Sequence, residues 1–118
     1  MPVLIYTENA AGKFKKSTFE AVSYARAIAD QTNTSLTAIS VGDVSADQLN
    51  LLGKYGADKV LNVSNDKLKS FVNQAYASVI AEAAKKESAD IVVLSNSFSG
   101  RGLAPRIGVK LEAGVADR

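Results

Sequence analysis

The chain has 118 residues, of which 47% are hydrophobic and 22% are charged; this composition is typical of one globular domain rather than a disordered segment. Fourteen basic and twelve acidic residues leave a formal charge of +2, a field too weak to indicate nucleic acid as the main partner. The chain contains no cysteine and no histidine, which excludes thiolate nucleophiles, the usual zinc sites and proton transfer by imidazole. No apolar run approaches the ~20 residues needed to cross a bilayer, and the N-terminus lacks a signal-peptide pattern. We therefore expect a cytoplasmic protein without a membrane span.

Four short segments rich in β-branched residues predict strands: residues 3–6, 36–41, 59–63 and 91–94. The first and last are almost continuously apolar, as expected of parallel strands that are covered on both faces.

Between these strands, apolar residues recur at the spacing of an α-helix. The first helix is predicted from about Ser17 to Asp30, with Ser17 and Glu20 placed as a capping box. The second begins at a similar box, residues 45–48, and ends by Gly56, which suits a left-handed C-terminal position. A third helix is predicted from one apolar stripe: Leu68, Phe71, Val72, Ala75, Val79 and Ala83. A fourth, short helix is predicted to start near Pro105.

The alternation of strands and helices predicts βαβ units with right-handed crossovers and a mainly parallel sheet. The expected fold is a three-layer α/β/α, Rossmann-like domain that occupies residues 1–118. Residues 114–118 resemble the approach to a fifth strand.

Ligands of such open sheets lie beyond the carboxyl ends of the strands, where the strand order reverses. Two loops qualify: residues 7–16 after the first strand and residues 95–104 after the fourth. The second loop leads into a helix N-terminus, where free backbone donors could hold an anion such as phosphate. Its candidate anion-binding residues are Ser99, Gly100, Arg101 and Gly102. The alternative interpretation is a tight turn that needs glycine to bring a helix back onto the sheet.

No catalytic constellation or metal site is predicted. The loop at 95–104 has no Gly-Lys-Ser/Thr ending and lacks the third glycine of a dinucleotide fingerprint. Glu8 is a lone carboxylate at a strand end, and the sequence indicates no second residue for paired acid–base chemistry. We therefore expect a chain that is not itself an enzyme.

Three stretches carry a resemblance to a known family. Residues 3–8, followed by Gly12 and Lys13, form an apolar strand that ends in glutamate before a Gly-Lys loop. Residues 55–61 contain Gly-Ala-Asp-Lys-Val, and residues 100–106 read Gly-Arg-Gly-Leu-Ala-Pro-Arg. In this order, and over essentially the whole chain, they resemble the N-terminal domain of electron-transfer flavoprotein α subunits. That family usually has aspartate where this chain has Gly102.

The resemblance implies an adenine-nucleotide-α-hydrolase-like fold and a role within a larger protein. Residues 1–118 would be the N-terminal domain of a longer subunit whose C-terminal domain, absent here, holds FAD. The α subunit pairs with a β subunit and carries electrons from flavin dehydrogenases, such as those of fatty-acid oxidation, to an acceptor. This domain would act as a scaffold and subunit contact, with no FAD-binding residue of its own and no appreciable affinity for FAD alone.

Two other functions remain open. The chain could be a stand-alone ATP- or AMP-binding module similar to universal stress proteins, although their phosphate motif has wider glycine spacing than Gly100 and Gly102. An ATP-using ligase or hydrolase is a third alternative, but the loop at residues 7–16 lacks its serine- and glycine-rich phosphate turn.

Overall fold

The structure of the protein is a computed structural model that describes residues 2–64 and 73–94. The predicted helix near Pro105 and the possible fifth strand at residues 114–118 lie outside these ranges. The elements of the described residues are β1 (Val3–Tyr6), β2 (Asn9–Ala10), β3 (Lys13–Phe14), α1 (Lys16–Gln31), β4 (Leu36–Val41), α2 (Ala46–Lys54), β5 (Lys59–Val63), α3 (Asn73–Lys86) and β6 (Ile91–Val93).

The main sheet has the strand order β5-β4-β1-β6, and all three of its pairings are parallel. Val3 of β1 lies opposite Leu36 of β4 on one side and Ile91 of β6 on the other. The chain first moves outward from β1 to β4 and β5, and then returns to the far side of β1. The predicted parallel sheet is therefore confirmed, and its order reverses between β1 and β6.

The two faces of the sheet bury alternate residues of the same strands, as the period of two requires. On one face, Leu4 and Ile39 pack against α3. On the other, Ile5 and Ala38 pack against α1 and α2, which contribute Val22 and Leu52. Each fully buried aliphatic side chain stabilises the fold by about 1.5–3 kcal/mol. The predicted three-layer architecture is confirmed.

The apolar face of α3 is centred one residue away from the predicted stripe. Ala75 and Val79 are only partly buried, whereas Tyr76 and Ile80 are buried against the sheet. Ala83 is buried as predicted. The first three residues of the predicted stripe lie outside the described residues.

The capping box predicted at Ser17 and Glu20 is wrong. The helix begins one residue earlier, and its N-cap is Lys15, whose side chain caps no backbone donor. The first turn is instead fixed by a tertiary contact, because the Thr18 hydroxyl donates to the backbone oxygen of Glu8 at 2.9 Å. Ser17 consequently lies within the first turn.

The second predicted box is half formed. The Ser45 hydroxyl accepts from the backbone N–H of Gln48 at 3.4 Å, so the predicted cap residue is confirmed. The Gln48 side chain does not complete the box, because its Oε1 accepts from the backbone N–H of Phe14 at 3.0 Å. Gly56 follows the helix with φ +129°, which confirms the predicted termination.

The uncapped start of α1 allows a stability test. Replacing Lys15 by aspartate supplies a side-chain acceptor and a negative charge at the positive end of the helix dipole. We expect Lys15→Asp to raise the free energy of unfolding by about 1 kcal/mol, measured by urea denaturation. Ser45→Ala at the other cap should lower it by about 1 kcal/mol. An unchanged or lower stability of Lys15→Asp would contradict this account of the helix start.

Candidate functional site

The predicted ligand-binding edge is the one formed by the carboxyl ends of the parallel strands. The candidate anion-loop residues Ser99, Gly100, Arg101 and Gly102 lie outside the described residues, so their role stays a prediction. The other predicted loop, residues 7–16, is described completely.

This loop folds into a small antiparallel hairpin formed by β2 and β3. Asn9 pairs with Phe14 and Ala10 with Lys13. The two turn residues, Ala11 and Gly12, have φ of +53° and +83°, the left-handed conformation typical of a two-residue hairpin turn. The Gly-Lys loop that carries part of the family resemblance is therefore the turn and second strand of a hairpin.

The hairpin and Thr7, which directly follows β1, are bonded to the second half of β4. The backbone N–H and the hydroxyl of Thr7 both donate to the Ile39 oxygen, at 2.8 and 2.9 Å. The Asn9 amide donates to the Val41 oxygen at 2.8 Å and accepts from the Gly12 N–H at 3.1 Å. One side chain thus closes the turn and holds it on the neighbouring strand.

Further contacts join the hairpin to the loops after β4 and β5. Gly12 lies so close to the Asp43 carbonyl that a Cβ on it would be 2.6 Å from that oxygen. The Asp43 carboxylate in turn accepts from the Ser64 hydroxyl. Together with the bond from Phe14 to Gln48, these contacts fill the β1–β4 side of the edge with the chain's own polar groups.

Two tyrosines lie on the opposite face of the sheet near the same edge. The rings of Tyr6 and Tyr76 meet edge to face with centroids 6.4 Å apart, and both are buried. Burial raises the pKa of Tyr6 far above its ordinary value, and the nearby Glu8 carboxylate and Tyr76 raise it further. Burial also raises the pKa of Tyr76. Both hydroxyls are therefore neutral near pH 7 and unsuited to act as bases.

Two features of the described residues bear on the space open to a ligand. On the β1–β4 side of the carboxyl edge, the donors of residues 7–16 that face the sheet are engaged within the chain. A shallow groove on α3 measures about 190 Å³ and is lined by Ser78, Ala81, Glu82 and Lys85. Pockets that enclose drug-sized ligands usually measure ~300–1,000 Å³.

The Gly-Ala-Asp-Lys-Val segment lies at the opposite, amino edge of the sheet. The Arg26 guanidinium of α1 donates to the Gly56 oxygen at 3.0 Å, to Asp58 Oδ2 at 2.7 Å and to the Thr34 oxygen at 3.1 Å. Asp58 Oδ2 also accepts from the backbone N–H of Leu36 at 2.9 Å. These bonds join α1 to the starts of β4 and β5.

The lysine of the same segment binds the other helical layer. Lys59 Nζ lies 3.0 Å from both carboxylate oxygens of Glu87, which follows α3. Glu87 also accepts from the Thr37 hydroxyl at 3.4 Å. The segment therefore stabilises the fold at the edge opposite the predicted ligand loops. Sequence reasoning assigned no role to Arg26 or Glu87, whose partners lie 32 and 28 residues away.

Fold and edge together define a parallel α/β domain in which a hairpin closes one side of the edge formed by the carboxyl ends of the strands. The family described as "Electron transfer flavoprotein domain" matches residues 3–117. The chain belongs to this family.

The curated relatives are longer proteins. The chain is 30% identical over 113 residues to the acryloyl-CoA reductase electron transfer subunit beta of Anaerotignum propionicum, covering 96% of the chain and 31% of that protein. It is 31% identical to the electron transfer flavoprotein subunit alpha of Thermoanaerobacterium thermosaccharolyticum, covering 96% and 34%. The chain thus spans about a third of the length of the curated relatives it matches. The predicted resemblance to the N-terminal domain of the α subunit is confirmed.

Solved structures of universal stress proteins share the fold. The protein from Archaeoglobus fulgidus matches with a TM-score of 0.64 at 13% identity, covering 96% of this chain and 94% of that one. A universal stress protein in complex with cAMP matches with a TM-score of 0.59 at 16% identity, covering 98% and 93%. These likenesses confirm the adenine-nucleotide-α-hydrolase-like fold class. Among the described helices, none has the length and apolar character that a bilayer crossing requires.

Gly56 and Gly53 differ in the space around them, and this difference predicts opposite effects on stability when each is replaced by alanine. A Cβ on Gly56 would lie 2.8 Å from Arg26 Cβ, and φ there is +129°, so Gly56→Ala should destabilise the fold by about 1–3 kcal/mol. Gly53 lies in α2 with no atom within 4 Å of such a Cβ. Gly53→Ala should therefore stabilise the fold by about 0.5–1 kcal/mol. Urea unfolding of both variants measures the difference; equal effects would refute the close approach.

The Asp58 contacts predict a dependence of stability on pH. The Leu36 N–H, and then Arg26, lower the pKa of Asp58 below its ordinary value. Its contribution is therefore complete above the pKa of the unfolded carboxyl, near ~4, and is lost as the pH falls through the lower folded pKa. We expect Asp58→Asn to lower the free energy of unfolding at pH 7 by about 1 kcal/mol, since the carboxylate is half exposed.

This difference between Asp58→Asn and the unsubstituted chain should shrink as the pH falls from about 5 to about 2. Asp90→Asn is the control, because Asp90 is an exposed carboxylate at the same edge of the sheet. A difference that stays constant through the acid range would contradict the role given to Asp58.

Proposed function

We propose that this chain is a scaffold and subunit-contact domain at the N-terminus of an electron-transfer flavoprotein α subunit. With a β subunit and FAD, the intact protein carries electrons from flavin dehydrogenases, such as those of fatty-acid oxidation, to an acceptor. The observation that supports this proposal is the family match over residues 3–117. Relatives named as electron transfer subunits support it as well.

In this proposal FAD is bound by the part of the intact subunit that lies outside these 118 residues. The chain corresponds to about a third of the length of its relatives, which leaves the rest of the subunit for a flavin-binding domain. The hairpin over the β1–β4 side of the edge also favours a scaffold, because its polar groups are bonded within the chain. The chain itself is not an enzyme.

The test is a pair of titrations on the 118-residue chain. We expect no saturable change in flavin fluorescence when FAD is titrated with the chain. We expect saturable binding to the electron-transfer flavoprotein β subunit of the same organism, measured by calorimetry. AMP and ATP are titrated in parallel, because the alternative function is a stand-alone nucleotide-binding module.

Micromolar affinity of the chain for FAD would contradict the proposal that another part of the intact subunit binds FAD. Micromolar affinity for AMP or ATP, without binding to the β subunit, would instead favour the nucleotide-binding module. That alternative has the fold likeness to universal stress proteins in its support.

A further inference from the structure

Three lysines cluster on and beside the β2–β3 hairpin. Lys13, Lys15 and Lys16 are exposed, and none of them makes an ion pair within residues 2–64 and 73–94. Two other cations of the described residues, Arg26 and Lys59, are each held by carboxylates. Within those ranges, the ion pairs that join elements of the fold therefore do not involve these three charges.

The charges of two of the lysines are unfavourable for the stability of α1. Lys15 and Lys16 stand at the positive end of the α1 dipole, whose first turn has no acidic residue. The N-terminus of α2 has the residue types that favour a helix start, with Ser45 as N-cap and Asp47 in the first turn. An unfavourable arrangement on one helix and a favourable one on its neighbour point to a function other than stability.

The tip of the hairpin shows a second departure from local preference. Ala11 has φ +53°, a conformation that costs a residue with a Cβ some free energy and that asparagine or glycine would adopt more readily. Ala10 and Ala11 are both exposed. The two-residue turn requires this conformation, and the two exposed alanines leave room for another chain to approach closely.

The hairpin is also held rigidly before any partner arrives. Asn9 bonds to the end of β4 and closes the turn, and the Phe14 backbone is bonded to the start of α2. The Phe14 side chain is buried on the α1–α2 side of the sheet. A surface that is already ordered loses less conformational entropy on binding.

We propose that Ala10, Ala11, Lys13, Lys15 and Lys16, the basic hairpin surface, bind an acidic surface of the partner subunit. This inference rests on the proposed function, which supplies the partner. Three exposed cations select an acidic surface and steer its approach. The small side chains at the tip permit close contact, and the fixed hairpin sets the geometry of that contact.

The test is a charge reversal that should not harm the fold. In the variant Lys15→Asp with Lys16→Glu, both changes suit the start of a helix, so the urea midpoint should stay equal or rise. Its Kd for the β subunit of the same organism should nevertheless increase by about tenfold or more, since like charges then face each other. The affinity of the unsubstituted chain should also fall more steeply with added salt than that of the variant.

The control carries the same change of net charge elsewhere. Lys85→Glu with Lys86→Glu alters two exposed lysines at the end of α3, away from the hairpin at the opposite edge. Its affinity for the β subunit should change by less than about threefold, because charges outside an interface act mainly through the screened long-range field. Circular dichroism melting confirms that both variants are folded.

Each outcome bears on a distinct claim. If the unsubstituted chain does not bind the β subunit, the proposed function fails and the inference fails with it. If it binds and the hairpin variant binds equally well, only the inference is overturned. It is also overturned if the hairpin variant loses affinity for vesicles of anionic phospholipid while keeping its affinity for the β subunit.

Discussion

The structure depends on the burial of β1 on both faces. Val3, Leu4 and Ile5 are completely buried, and their side chains alternate between the two helical layers, so neither layer can be removed without exposing the central strand. Pairing with β4 on one side and β6 on the other satisfies its backbone. The neighbouring strand β4 is enclosed in the same way, between β1 and β5. What distinguishes β1 is that the chain returns from β5 to its free side and adds β6 there, which reverses the strand order beside β1.

In this protein the hairpin occupies one side of the edge formed by the carboxyl ends of the strands. The β1–β4 side is occupied by a hairpin whose Asn9 side chain bonds to the end of the neighbouring strand. The chain's own polypeptide thus occupies this side of the edge, and its polar groups bond to one another there. Buried, neutral tyrosines on the other face of the sheet agree with a structural use of the same edge.

The fold could be predicted from the sequence because its signals are local. Segments rich in β-branched residues predicted the strands of the main sheet, and Ser45 and Gly56 predicted the ends of α2 correctly. The predictions failed where a contact with a distant residue determines the local structure. The start of α1 is fixed by the bond from the Thr18 hydroxyl to the Glu8 oxygen. The Gln48 side chain, which was expected to complete a capping box, instead accepts from the Phe14 N–H. The role of Arg26 could not be predicted for the same reason, because a lone arginine on a helix gives no indication of an ion pair with an aspartate 32 residues later. The family resemblance located the Gly-Ala-Asp-Lys-Val segment, but only the contacts explain it as a structural element.

The polar contacts at the amino edge have a consequence for folding kinetics. Arg26 with Asp58, and Lys59 with Glu87, join residues 32 and 28 positions apart, so each pair forms only after separate elements of the sheet and its helices have met. Because closing loops between distant residues costs entropy, we expect these contacts to form after the transition state for folding. Interactions of this class slow unfolding more than they speed folding. We therefore expect the amino edge to lengthen the lifetime of the assembled sheet and to have little effect on the rate of its assembly.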